Sequence, residues 1–497
     1  MNFSHIDSIA LADVPVLSAE MLAATVISSV QAGQRVIALF GLPESQGVGL
    51  FCLLADDSTH TLSALRTQPL TAFDSMTPRC PQVHLFEREI FEQWRIRPEG
   101  HPWLKPVRFC PPQTGSAEDR PGPAQTSYYR VTGNEVHEVA VGPVHAGIIE
   151  PGHFRFQCYG ENVMHLEIQL GFQHRDVERL ILAGPAVRTL KIMECVAGDS
   201  TIAHTTAYCT LLERLTGVSV PERGRLLRRA ALELERLANH TGDLGAIGGD
   251  TGFLPTASWN GRIRGDFLNM TATLCGNRFG RNLVCPGGTA LDADTARCQD
   301  IVGRLRTAYR DVRGAVDTML ASHSVLARLS GTGCVSRQDA INLGLVGMAA
   351  RACGVSRDAR FAFPTDELAT EGITLREERT GDVLARTLVR SREVDDSVQA
   401  VETALMRLAF APSEKSCCTE LPELPPNRCA VGLVEGWRGE VCHVGITDEN
   451  GKFRAYKIVD PSFHNWMGLS MALRGEQISD FPLCNKSFNL SYCGHDL

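Results

Sequence analysis

The chain has 497 residues, 43% hydrophobic and 21% charged, with a formal net charge of −8; this is too long for one compact core, so roughly two or three domains of a globular protein are expected. The acidic balance and the lack of any basic run argue against nucleic acid as a partner. No window approaches the roughly 20 apolar residues of a membrane span, and Asp7 and Asp13 interrupt what would be the apolar centre of a secretion signal, so membrane association is expected to be peripheral, through partner subunits.

In chain order, Arg35 to Phe40 and Gly49 to Ala55 are short apolar runs bounded by turn residues, which predicts strands. A helix is predicted near Phe86 to Phe91. Cys110 to Thr126 holds Pro111, Pro112, Pro121 and Pro123 together with Gly115, Ser116 and Gly122, the composition of a linker. Residues 1–110 therefore read as a small α/β domain and 111–135 as a linker. From about residue 136 the pattern changes. Val139 to Pro143 and Phe154 to Tyr159 predict a small β unit. Arg225 to Ala246 then carries Leu226, Leu227, Ala230, Leu234, Leu237 and Ala238 at helical spacing. Segments 294–322, 337–353 and 379–410 are amphipathic in the same way. Strands return at Ala430 to Val434, Glu440 to Ile446 and Phe453 to Val459. No internal repeat is visible. The predicted class is α+β: a small N-terminal α/β domain, then a mainly helical domain over 136–497 with peripheral strands.

The 17 cysteines are scattered, and no two form a Cys-x-x-Cys pair. Without a secretion signal they read as buried small hydrophobes. An iron–sulfur cluster needs several thiolates at short spacing, so none is expected on this chain. No Gly-x-Gly-x-x-Gly follows a predicted strand, so a nicotinamide would have to bind another subunit.

Several motifs carry a family resemblance. His84 to Phe91 followed by Pro98 to Leu104 resembles the small peripheral-arm subunit of respiratory complex I, which is fused to the large subunit in formate hydrogenlyase. The rest resembles the quinone-site large subunit of complex I and the large subunits of membrane-bound energy-converting nickel–iron hydrogenases. The segments that carry it run in order: Gly142-Pro143-Val144-His145, Glu150 to Phe156, Gly171 to Leu180 and Leu234 to His240. Asn277 to Asn282, Ile341 to Gly347, Gly381 to Arg386 and Asp460 to Asn465 complete the set.

The resemblance implies four metal-binding cysteines in two pairs. Counted from Ala203-His204 the first pair falls on Ala197 and Ser200; counted back from Asp496 the second falls on Ser491 and Gly494. None of these residues supplies the soft thiolate that such metals select, and Cys195, Cys209 and Cys493 are out of register. Hydrogen activation is therefore not expected, and no metal or cofactor is expected on this chain. The chain ending at Leu497, right behind the motif, fits a protein that inserts no nickel. The family's quinone-contacting tyrosine aligns with Gly198, and its quinone-contacting histidine nearer Pro151.

Five residues stand out as candidates for proton handling. His145 and His153 lie in the β unit; histidine is the side chain most easily tuned near neutral pH, though both could simply hydrogen-bond turns. Asp199 and His204 flank the lost cysteine site as a carboxylate–imidazole pair, the alternative being that Asp199 caps a helix starting near Thr201. Arg236 shares a helical face with His240, beside Glu233 and Glu235, as a charged relay or as a structural ion-pair network. His174, Arg175 and Asp176 read as a salt-linked helix start, Asp460-Pro461 and His464 as a turn before a helix, and Ser491 and Cys493 as part of a terminal strand or coil.

The expected function is an electron-transfer subunit of a complex I-like or hydrogenase-related ion-pumping assembly, shaping a quinone or other acceptor pocket; the alternative is a non-catalytic coupling scaffold. The expected partners are a small iron–sulfur subunit that holds the cluster, and membrane antiporter-like and anchor subunits, with the chain on the cytoplasmic face of the cell membrane.

Overall fold

The computed structural model describes residues 1–114, 122, 125–145, 149–182, 184–410 and 416–497. Of the predicted linker, Gly115, Ser116, Pro121 and Pro123 lie outside the described residues.

The N-terminal region builds a five-stranded sheet from β1 (Asn2–Ser4), β3 (Val16–Leu17), β4 (Arg35–Glu44), β5 (Gly47–Asp56) and β6 (Thr61–Thr67), in the order β1-β6-β5-β4 with β3 paired to β6. Helix α1 (Ala19–Gln31) starts where Ser18 accepts a hydrogen bond from the Met21 amide, 3.2 Å. Helix α2 (His84–Trp94) lies against β4, flanked by the short parallel pair β7 (Ala72–Asp74) and β8 (Arg97–Glu99). The remaining short strand, β2 (Ile9–Ala10), leaves this sheet altogether and pairs with the C-terminal one.

A three-stranded antiparallel sheet follows, with β10 (His153–Tyr159) between β9 (Val136–Val141) and β11 (Asn162–Gln169). After the short helices α3 (Val177–Leu180) and α4 (Val187–Met193) comes the helical body. It comprises α5 (Thr201–Thr216), α6 (Glu222–Asp250), α7 (Leu254–Cys275), the hairpin β12 (Val284–Cys285) and β13 (Gly288–Thr289), and α8 (Thr295–Leu320). Short helices α9 (His323–Leu329), α10 (Arg337–Leu343), α11 (Gly347–Arg351) and α12 (Ala359–Ala362) lead to α13 (Val383–Phe410). Helices α6, α7, α8 and α13 pack on one another around an apolar core that includes Leu234, Phe267, Leu305 and Leu405. The chain closes with β14 (Arg428–Glu435), β15 (Glu440–Thr447) and β16 (Phe453–Val459), then α14 (Pro461–Ala472), α15 (Phe481–Phe488) and α16 (Tyr492–Asp496). The class is α+β, and the long predicted helices and the terminal strands form where their periodicity places them.

Two expectations are corrected. The predicted helix over 337–353 is two helices, because Gly344 adopts φ 71° and ends α10. Gly347 then sits where a Cβ would lie 2.2 Å from the Gly439 Cα, so the break is also a close backbone crossing. The terminus, expected as strand or coil, is the helix α16, with Ser491 accepting from the Gly494 amide at 2.9 Å as its cap.

One core runs from the N-terminal sheet into the C-terminal one. Leu39, Phe51 and Leu53 share a cluster with Val431, Val444, Val459 and Phe463. Across that seam Arg35 makes a bidentate bond to Glu440, 2.7 and 2.6 Å, and Lys457 meets Glu89 at 2.7 Å. Helix α5 lies directly on β14, with the Gly432 Cβ position 2.0 Å from the Ala207 carbonyl oxygen. That contact yields a prediction: Gly432→Ala should destabilise the protein by about 3 kcal/mol, as overpacking between rigid backbones does. Gly303→Ala, on an open face of α8, should raise stability by roughly 0.5–1 kcal/mol. Urea unfolding of both variants tests the pair; equal effects would count against the close packing of α5 on β14.

Candidate functional site

Three segments meet beneath the C-terminal sheet: the β9–β10 connection, the turn before α5, and the terminal helix α16. Arg175 ties two of them, donating to the carbonyls of Cys195 (2.6 Å), Val196 (2.8 Å) and Cys493 (3.0 Å). Glu150 accepts from the Cys493 amide at 3.0 Å, and the Gly152 Cβ position lies 2.6 Å from the Tyr492 ring. Asp496 fastens the end of the chain by accepting from the amides of Gly171 and Gln173, 2.8 and 2.9 Å.

At the centre stands Arg438, in the tight turn between β14 and β15. Its guanidinium is 95% buried, lies 3.9 Å over the Trp437 ring, and makes a bidentate ion pair with Asp199 at 2.7 Å for both oxygens. It also donates to the Asn489 carbonyl at 2.5 Å, so one side chain spans the two loops. Asp199 and the nearby Asp460 and Asp243 raise its pKa further above the ordinary arginine range, against the cost of burial.

Beside it runs a chain of buried side chains. Tyr456 Oη lies 2.8 Å from His443 Nδ1, His443 Nε2 lies 3.1 Å from His204 Nδ1, and His204 Nε2 lies 3.0 Å from Asp460 Oδ2. Burial holds the His443 imidazolium form well out of reach, and the Tyr456 hydroxyl far above its usual range. Both groups are therefore neutral, so each step of the chain is a single hydrogen bond between neighbouring rings and hydroxyl, ending on Asp460. Asp460 is held ionised, its pKa lowered by His204 and Arg438 although burial opposes this.

The five predicted site residues fall in three places. His145 and His153 cross-tie one connection, His145 Nε2 to the Gly152 oxygen at 2.8 Å and His153 Nδ1 to the Gly142 oxygen at 3.2 Å. Burial lowers the His153 pKa, and among the described residues its Nε2 has no hydrogen-bond partner. Asp199 and His204 are both at the centre, but not as a pair. Asp199 bonds Arg438 and His204 bonds Asp460, which corrects the expected carboxylate–imidazole contact. Nor does Asp199 cap α5. The first amides of that helix, Ile202 and Ala203, donate to Glu235 at 2.7 and 3.3 Å, a carboxyl that burial pushes up to about 8. Arg236 lies in a buried ion-pair network with Glu233 (3.0 Å) and Glu393 (3.6 Å), and His240 bonds Glu393 at 2.7 Å. Arg438, His443 and Tyr456 were not singled out by the sequence. Their only signal is a Trp-Arg-Gly turn between strands and polar residues inside strands that are buried on both faces.

The metal that the resemblance implies does not fit the residues present. Ala197, Ser200, Ser491 and Gly494 offer no thiolate. The Gly494 Cβ position lies 2.6 Å from the Asp460 carboxylate and 2.9 Å from Ser491 Oγ, so no larger side chain stands there without rearrangement. Among the described residues, no cluster of three or more His, Cys, Asp or Glu is placed to hold a metal ion. Gly198, in the aligned tyrosine position, is exposed, and a Cβ there would meet nothing within 4 Å.

The sequence pattern of the family described as respiratory-chain NADH dehydrogenase, 49 Kd subunit, matches residues 250–420. The chain is 30% identical over 443 residues to formate hydrogenlyase subunit 5 of Escherichia coli (strain K12), covering 84% of this chain and 76% of that one. It is 29% identical over 441 residues to hydrogenase-4 component G of the same organism, with 84% and 75% covered. A solved structure titled as the membrane-bound sulfane sulfur reductase, an archaeal respiratory membrane complex, superposes with a TM-score of 0.66 at 23% identity, covering 74% of this chain and 100% of that chain. The chain belongs to this large-subunit family of complex I and the related hydrogenases.

Buried histidines set an acid limit. Burial lowers His84 and His464 from 6.5 to about 3. The unfolded chain takes up protons near pH 6.5 that the folded one refuses, so stability is full above that pH and falls as pH drops toward about 3. The urea midpoint should therefore decline below about pH 6.5, less steeply in His464→Gln; an unchanged acid limb in that variant would contradict the assignment.

Proposed function

We propose that this chain is the large peripheral subunit of a membrane-associated complex I-like or hydrogenase-related ion-pumping complex, and that it forms the proton-handling wall of an electron-acceptor site. The observation that carries this reading is the convergence of both motif loops on Arg438 and Asp460, ionisable groups that lie beside the positions where the family resemblance implies thiolates. Its relatives are named as components of formate hydrogenlyase and a hydrogenase. Among the described residues no helix is long and apolar enough to cross a membrane, so attachment falls to antiporter-like and anchor partners, on the cytoplasmic face. A small iron–sulfur partner supplies electrons. A quinone takes up two electrons and two protons, and this chain supplies the protons. The groups placed to do so are Asp199, exposed on one side, Glu235 behind it, and the Tyr456–His443–His204–Asp460 chain. Nickel has no place in this reading, because the donor set does not suit it.

A second reading, a coupling scaffold without turnover, is favoured by one observation: the Asp460 and Ser491 side chains leave no room for a larger side chain at position 494. The two readings part in the intact complex. Acceptor reduction should fall at least tenfold in Asp199→Asn and in His204→Gln, with iron–sulfur content unchanged and nickel well below one per chain. Full turnover in both variants, or clusters that reduce without any acceptor turnover, would favour the scaffold.

A further inference from the structure

Most of the 17 cysteines are buried, and all are free thiols. One pair stands apart. Cys285, at the end of β12, and Cys418, in the segment between α13 and β14, are both half-buried and bring their sulfurs to 3.6 Å. No other two cysteines among the described residues make a hydrogen-bonding sulfur–sulfur contact.

Backbone pairing brings the two together. Gly288 pairs with Cys285 across the β12–β13 hairpin and with Cys418 on its other side. Residues directly opposite one another on neighbouring strands place their side chains on the same face, so the two cysteines meet over a residue that has none. A Cβ at Gly288 would lie 2.0 Å from the Cys417 oxygen and 2.8 Å from the Cys418 Cα, so this close approach requires glycine. The Thr289 amide donates to the Cys417 carbonyl at 3.1 Å and the Thr419 amide to the Gly287 carbonyl at 3.0 Å, which fixes the register. The hairpin is itself anchored to the helical body. Arg228 on α6 donates to the carbonyls of Gly288 (2.9 Å) and Cys285 (2.7 Å), and Glu213 on α5 accepts from the Gly287 amide at 2.8 Å. Cys417 does not compete for Cys285. Successive side chains of an extended segment face opposite sides, and Cys417 bonds to Asp292 and Arg223 instead.

We propose that Cys285 and Cys418 form a reversible dithiol–disulfide modification site that exchanges with a small-molecule disulfide. A disulfide holds its sulfurs at about 2.0 Å, a short closure from the contact observed. The Cys418 thiolate attacks one sulfur of the oxidant RSSR, giving a mixed disulfide on Cys418 and releasing RS−. The Cys285 thiolate then attacks the Cys418 sulfur, forming the bond between the two residues and releasing the second RS−. Two protein thiols give up two protons and two electrons, and RSSR leaves as two RSH. Cys418 reacts first because burial, and then the neighbouring Cys418 thiol, push the Cys285 thiol up to about 12, against the pull of Arg228. The new bond ties the segment leading into β14 to a hairpin held by α5 and α6, and it does not depend on the proposed acceptor chemistry.

Equilibration of the purified full chain with oxidised glutathione, then alkylation of the remaining thiols and peptide mapping by mass spectrometry, tests the assignment. One intramolecular disulfide joining Cys285 to Cys418 is expected, with the loss of two of the 17 alkylatable thiols and their full recovery in dithiothreitol. In Cys285→Ser, glutathione should accumulate on Cys418, because the resolving thiol is gone; in Cys417→Ser the linkage should form as in the wild type. Both residues still alkylated after equilibration, Cys418 joined to Cys417, or glutathione left on Cys418 of the wild type would overturn the proposal. The wild-type map decides the matter if a variant does not fold.

Discussion

A buried lattice of arginines and carboxylates organises the centre of this protein. Arg351, from α11, reaches Glu393 on α13, Glu435 at the end of β14 (2.8 Å) and Asp358 (3.3 Å). Arg236 on α6 donates to the carbonyls of Glu435 and Gly436 as well as to Glu233. Arg390 on α13 joins Asp243 on α6 (2.9 Å) to the Phe488 carbonyl of α15 (3.2 Å). These guanidinium groups are wholly buried. Charges taken out of water are tolerable only with close partners, and removing one partner of such a pair costs about 3–5 kcal/mol. Helices and strands from four parts of the chain are thereby held in one register, which aliphatic packing alone, being non-directional, would not enforce.

The functional centre extends that lattice. Arg438 does for the two motif loops what Arg390 does for α6 and α15: a planar fork bridges a carboxylate on one segment and a carbonyl on another. In this family the resemblance places metal–thiolate bonds between the same loops. Here an ion pair, a serine cap and the Asp460 carboxylate occupy that position.

Much of the architecture was legible in the residues. The apolar spacing over 225–246 places α6, and the mainly apolar runs at 430–434 and 440–446 place β14 and β15. The break at Gly344 was not legible, because an apolar helical period continues across it and only the crossing of Gly439 explains the glycine. Helix α7 was also missed: polar residues such as Thr256, Asn260 and Thr271 are buried along it, which blurs its periodicity.

The sequence by itself determined the family, the α+β class, the order of the elements and the absence of thiolates at the four motif positions, because each follows from residue identity and local spacing. The tertiary structure decided which groups meet. Asp199 lies five residues from His204 yet pairs with Arg438, and His204 pairs with Asp460, each more than 200 residues away. It also decided that β2 joins the C-terminal sheet. Partner choice among charges depends on distance and burial in three dimensions, since an ion pair gains its strength only where water is excluded. Neither quantity is written in the spacing of residues along the chain.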